Sequence, residues 1–94
     1  TLRKKMPIEV ETKNLNEVAE ALHCGADVIM LDNMSLREMK KAVVLAAGRA
    51  RLEASGNVSL KNVAKIAKTG VNFISVGQLT HSARAADISL KIIS

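Results

Sequence analysis

Glu11 closes the short apolar run Pro7 to Glu11, and Asp32 follows the run Val28 to Leu31. If those runs are parallel strands, both carboxylates stand at strand C-terminal ends, where α/β proteins bind their ligands. Two carboxylates so placed can hold Mg²⁺, directly or through water, because hard cations prefer oxygen ligands. The same pair can also act structurally, answering positively charged loops. Two more strand ends carry small, polar sequence. Ser55-Gly56-Asn57 follows Glu53 and precedes a helix start at Ser59, while Gly77 opens a stretch containing Thr80, His81 and Ser82. Backbone N–H groups at glycines and helix N-termini bind phosphate well. Either glycine alone reads as a turn residue; on adjacent strands the two together read as a phosphate site. His81 can donate to a phosphate or exchange a proton near neutral pH, and a single His near a chain end also suits a structural place. His23 falls in the last turn of a helix, where the dipole favours it, and is assigned no function.

The elements that must position these groups are legible from pattern and punctuation. Strands are expected at Pro7 to Glu11, Val28 to Leu31 and Phe73 to Val76, with a weaker candidate at Ala50 to Ala54; Ile88 to Ile93 fits either a strand or a helix. Asn14-Leu15-Asn16-Glu17 and Ser35-Leu36-Arg37-Glu38 read as capping boxes, and Ser59-Leu60-Lys61-Asn62 as a weaker version. Apolar residues follow each start at helical spacing, and each helix stops near a glycine: Gly25, Gly48 and Gly70. Strands and helices therefore alternate, which implies parallel strands joined by right-handed crossovers. Leu15 to Asp32 also aligns without gaps on Leu60 to Gly77, which reads as a duplication of helix, glycine stop and strand. The expected fold is a (βα)₄ half of a TIM-like α/β barrel.

Composition narrows the function classes. The 94-residue chain carries a net charge of +5, one Phe, no Trp and no Tyr. A basic balance suits a phosphate-bearing ligand, while the lack of aromatics and of a basic stripe argues against nucleic-acid binding. No run approaches the length of a membrane helix. The single cysteine, Cys24, excludes an internal disulfide and suits a reducing, cytoplasmic setting; beside Gly25 at a helix end it reads as a packing residue. The chain starts at Thr1, so a processed or truncated product is expected.

Four segments resemble the quinolinate phosphoribosyltransferases in order and spacing: Ile8 to Glu11, Gly25 to Met34, Leu52 to Asn57 and Thr69 to Ser82, with Asp87 to Leu90 at the end. The resemblance implies the C-terminal half of the family's barrel domain over residues 1–94, with the N-terminal domain and the first barrel half outside it. It implies transfer of a phosphoribosyl group from phosphoribosyl pyrophosphate to quinolinate, giving nicotinate mononucleotide, pyrophosphate and CO₂ in NAD biosynthesis. By resemblance Glu11 and Asp32 face the ribose and the Mg²⁺–pyrophosphate, and Ser55, Gly56, Gly77 and His81 hold the 5′-phosphate. Glu53 matches a further family acid of unassigned role. A homodimer or higher oligomer is implied, together with the remainder of the same enzyme.

The departures concern the acceptor. The family's basic clamp for quinolinate and its Asp-Asn-His motif have no counterpart here, since Arg3, Arg37, Arg49, Arg51 and Arg84 do not match the clamp; Gln78 replaces a residue that is usually small. The 94 residues thus supply a phosphoribosyl half-site, and the isolated chain is expected to be inactive. The competing reading is a non-catalytic half-barrel that binds phosphate or self-associates.

Overall fold

Short β-branched and aliphatic runs separated by capped amphipathic helices pair into one sheet. The computed structural model describes residues 6–76, 79–82 and 90–92, the last two stretches by their backbone pairing alone. The elements in order are β1 (Glu9–Thr12), α1 (Leu15–His23), β2 (Val28–Asp32), α2 (Leu36–Ala46), β3 (Arg51–Ser55), α3 (Val63–Ala67), β4 (Phe73–Val76), β5 (Leu79–Ser82) and β6 (Leu90–Ile92). They form a sheet in the order β1-β2-β3-β4-β5-β6. The first four strands are parallel, as the alternation predicted, and β5 and β6 then pair antiparallel.

The helix starts follow their caps to different degrees. Ser35 and Glu38 form the full capping box. Asn14 accepts the Glu17 N–H at 2.9 Å, but Glu17 reaches one residue further back, to the Lys13 N–H at 2.7 Å. Ser59 caps nothing: α3 begins at Val63, behind a turn, with Asn62 at its cap position. Gly70 does stop α3. Its φ of +100° favours glycine, and a Cβ there would stand 3.1 Å from Val43 Cγ1, tighter than an ordinary contact.

One face of the sheet is closed and the other open. Ile29, Leu31, Leu52, Ala54 and Ile74 are buried against Val18, Leu22, Met39, Ala42, Ala46 and Ile66 of the helices. Each such Leu or Ile contributes on the order of 1.5–3 kcal/mol through removal from water. The alternate residues Met30, Asp32, Glu53, Ser55, Phe73 and Ser75 are half-buried, and Glu9, Glu11 and Arg51 exposed. The strict alternation distinguishes these strands from a parallel sheet covered on both faces, whose strands read as continuous apolar runs. Val10 and Ile74 belong to the helix side, whereas Met30 lies on the open face. Register decides this, because Val10 pairs with Ile29, and Ile74 pairs with Ala54. Cys24, expected to pack, is the exposed C-cap of α1. Among the described residues no helix is long and apolar enough to cross a membrane.

Candidate functional site

Register sets the relative heights of the predicted site residues on the open face. Glu11 pairs with Met30, and Met30 with Glu53, so the two glutamates flank Met30 in one row. Asp32, the last residue of β2, lies two positions further along and pairs with Ser55, the last residue of β3. Glu11 is therefore not level with Asp32, as its place at a strand end suggested. One strand spacing and two residue rises put their Cα atoms on the order of 8 Å apart. Thr12, not Glu11, ends β1; it is buried, and its hydroxyl donates to the Met30 carbonyl at 2.8 Å. Glu53 accepts a hydrogen bond from Ser75 Oγ across the same face.

Asp32, Ser55 and Gly56 come together closely. Gly56 has a φ of +77°, and a Cβ added there would stand 2.8 Å from Asp32 Oδ1 and 3.0 Å from the Asn33 amide nitrogen. A side chain at this position would collide with the carboxylate and the Asn33 backbone, so the site requires glycine. The Asn33 N–H donates to the Ser55 carbonyl at 2.8 Å, prolonging the β2–β3 ladder past the strand ends. The tips of β2 and β3 thus form a rigid edge bearing a carboxylate, a hydroxyl and a bare stretch of backbone. Such an edge can accept a hard cation on one side and an anion on the other.

The second predicted phosphate element is only partly in view. Gly77 lies outside the described residues, as does Gln78. Thr80, His81 and Ser82, expected in a loop, belong by backbone to β5, with His81 opposite Ile74 and Thr80 opposite Ser75. Val76 pairs with Leu79 across the antiparallel β4–β5 ladder. The side chain of His81 lies outside the described residues.

Sequence reasoning placed Asn33 and Asn57 at the strand ends but assigned them no role. Both have left-handed backbone, with φ of +61° and +54°, and the Asn57 side-chain amide donates to Asn33 Oδ1. The dipeptides Asp32-Asn33 and Gly56-Asn57 carried the available signal, since asparagine and glycine tolerate this conformation where a strand must turn sharply.

Four parallel strands with crossover helices, open on one face and acidic at the strand ends, define a segment of an α/β half-barrel. Residues 1–91 match the family model described as "Quinolinate phosphoribosyl transferase, C-terminal domain", and the chain belongs to that family. It is 47% identical over 102 residues to the chloroplastic nicotinate-nucleotide pyrophosphorylase [carboxylating] of Oryza sativa subsp. japonica, covering 93% of this chain and 28% of the relative. It is 46% identical over 100 residues to the probable nicotinate-nucleotide pyrophosphorylase [carboxylating] of Synechocystis sp., covering 99% and 34%. The solved nicotinate-nucleotide pyrophosphorylase of Francisella tularensis superposes with a TM-score of 0.75 at 41% identity, over 94% of this chain and 32% of that one. The chain spans about a third of the length of these relatives.

Proposed function

We propose that the polypeptide carrying this chain transfers a phosphoribosyl group from phosphoribosyl pyrophosphate to quinolinate, releasing pyrophosphate and CO₂ in NAD biosynthesis. Residues 1–94 supply the half-site for the phosphoribosyl end, as part of the barrel domain. The observation that carries this reading is the edge where Gly56 lies against the Asp32 carboxylate, in a chain of this family. Departure of pyrophosphate develops positive charge on the ribose, and Asp32 and Glu11, two of the carboxylates on this face, stabilise it. Ser55 and Gly56 offer a hydroxyl and unobstructed backbone to the 5′-phosphate, and the family resemblance adds Gly77 and His81 to that site. Anchoring that far end holds the reacting carbon in place.

Mg²⁺ fits the donor set. Among the described residues no three acidic, His or Cys side chains converge as a chelating group. Mg²⁺ usually binds through one or two carboxylates together with phosphate oxygens and water, a role open to Glu11 and Asp32. When bound it neutralises charge on the leaving pyrophosphate. The quinolinate clamp, the rest of the barrel and the oligomeric partner belong to the remainder of the enzyme, and a cytoplasmic setting accompanies this reading.

The test is Asp32→Ala in the full-length enzyme. Turnover should fall hundreds-fold or more, about 3 kcal/mol of lost charge stabilisation, with little change in melting temperature. A large drop in melting temperature with near-normal turnover would mark Asp32 as a structural carboxylate and defeat the assignment.

A further inference from the structure

Positive-φ backbone occurs at seven described residues, and they fall into two groups. Gly25, Ala47, Gly48 and Gly70 terminate helices, where left-handed backbone is the ordinary stop signal. Asn33, Gly56 and Asn57 terminate no helix; all three sit at the tips of β2 and β3, around Asp32. Asparagine tolerates that conformation better than other residues with a Cβ, and local hydrogen bonds hold it there.

The enforcing contacts form a chain from one strand end to the next helix. The Asn33 N–H donates to the Ser55 carbonyl, and the Asn57 amide donates to Asn33 Oδ1. Asn62 then donates to the Asn57 carbonyl at 2.9 Å and accepts the Ser59 N–H at 2.8 Å. Between the first two links lies Gly56, directly against Asp32 Oδ1. Asn33 and Asn57, the residues that follow Asp32 and Gly56, are therefore joined next to the carboxylate and the bare backbone.

We infer that Asn33 and Asn57 are paired positioning residues that lock the Asp32 carboxylate at a fixed distance from the Ser55–Gly56 phosphate backbone. The inference rests on the reading of this edge as the phosphoribosyl half-site and assigns the pair a part in that reaction. Each anchor is local: Asp32 belongs to β2, and Ser55 and Gly56 to β3 and its end. The ladder and the Asn33 N–H bond keep Asp32 against Ser55. Beyond Ser55, the Asn57–Asn33 bond ties the Gly56 backbone to the β2 tip. If it is cut, each end still meets its part of the substrate, while that backbone no longer stands at matched distance and angle to the carboxylate. Misplacement on the order of 1 Å of groups that must meet a substrate together can cost about 10²-fold in rate. The signature of such a link is a loss in kcat with KM largely kept.

The test uses the full-length enzyme with Asn33→Gly, Asn57→Gly and the double variant. Glycine accepts the left-handed backbone at both positions, so the loops keep their path while the side-chain link is removed. Each single variant should lower kcat by about ten- to a hundred-fold, while KM for phosphoribosyl pyrophosphate and inhibition by inorganic phosphate change less than about three-fold. Because the two side chains act as one unit, the double variant should be no worse than either single variant. A kcat within two-fold of the parent in both single variants overturns the inference. So do losses that multiply in the double variant, or losses confined to KM. A parent enzyme without phosphoribosyl transfer overturns both this inference and the functional reading beneath it, whereas unaffected asparagine variants beside an inactive Asp32→Ala overturn the inference alone.

Discussion

In β1–α1–β2, Asp27 Oδ2 accepts the Ile8 N–H at 2.7 Å while the Asp27 N–H donates to the Ile8 carbonyl at 2.8 Å. In β3–α3–β4, Asn72 does the same to Leu52, accepting at 2.9 Å and donating at 2.9 Å. Asp27 and Asn72 are equivalent in the internal repeat, as are Gly25 and Gly70 just before them. At this edge of the sheet, where β2 and β4 begin, the two units share one device. At the opposite edge they differ. Two residues, Lys13 and Asn14, separate β1 from a nine-residue α1 whose cap is Asn14. Seven residues, 56–62, separate β3 from a five-residue α3 without a side-chain cap. The second unit gives up nearly half its helix to the loop that carries Gly56, Asn57 and Asn62. Parallel α/β folds keep stability at the N-terminal ends of their strands and chemistry at the C-terminal ends, and both arrangements are visible in one pair of repeats.

The largest expected difference between the units comes from their helix-stop glycines. Gly25→Ala meets no atom within 4 Å, so its cost is that of left-handed backbone at φ +81°, about 1–2 kcal/mol. Gly70→Ala adds a clash with Val43, a β-branched helical side chain with little rotamer freedom. That contributes about 1–3 kcal/mol more. Urea unfolding of the two variants should rank Gly70→Ala as clearly the worse. Equal losses would show that Val43 moves aside freely and that the second unit packs no more tightly than the first.

The shared strand bracket is expected to be weaker in the first unit. Asn72→Ala leaves the N–H of the buried Leu52 without its acceptor, a cost of about 1–3 kcal/mol. Ile8 is 42% exposed, so water can take the place of the Asp27 carboxylate on its N–H. Amide hydrogen exchange at Leu52 in Asn72→Ala should accelerate more than exchange at Ile8 in Asp27→Ala. The reverse order would mean that the two brackets are equivalent in form only.

The sequence made the first unit far more legible than the second. Asn14, Ser35 and the glycine stops predict α1 and α2 because capping and termination are local chemistry. The buried strands β2 and β4 follow from Val28 to Leu31 and Phe73 to Val76 for the same reason. Ser59 fails as a cap because Asn62, three residues on, bonds Ser59 and Asn57 in place of the helix end. The strand character of Leu79–Ser82 was missed because Thr80, His81 and Ser82 carry little apolar pattern, and only pairing with β4 makes them a strand. Asp32, Ser55 and Gly56 could be singled out as strand-end residues from sequence alone. The height offset between Glu11 and Asp32 depends on register and was beyond reach.

The smallest expected effect is the most local. Asn14 and Asn62 stand at corresponding places, each at the N-cap of its unit's helix, and a propensity argument would treat them alike. Their side chains act differently. Asn14 Oδ1 accepts the Glu17 N–H inside the first helical turn, whereas Asn62 faces back into the loop. Asn14→Ala should therefore destabilise the protein by about 1 kcal/mol, the usual cost of a lost cap, with faster amide exchange at Glu17. Asn62→Ala should leave exchange in α3 near that of the parent and accelerate it at Ser59, whose N–H loses its acceptor. The exposed setting of that loop keeps the global loss small, because water can reach the freed group. Faster exchange at Val63 to Ala67 in Asn62→Ala would show that Asn62 serves as a helix cap after all. The contrast between a unit built around its helix and one built around its loop would then fail at the residue meant to exemplify it.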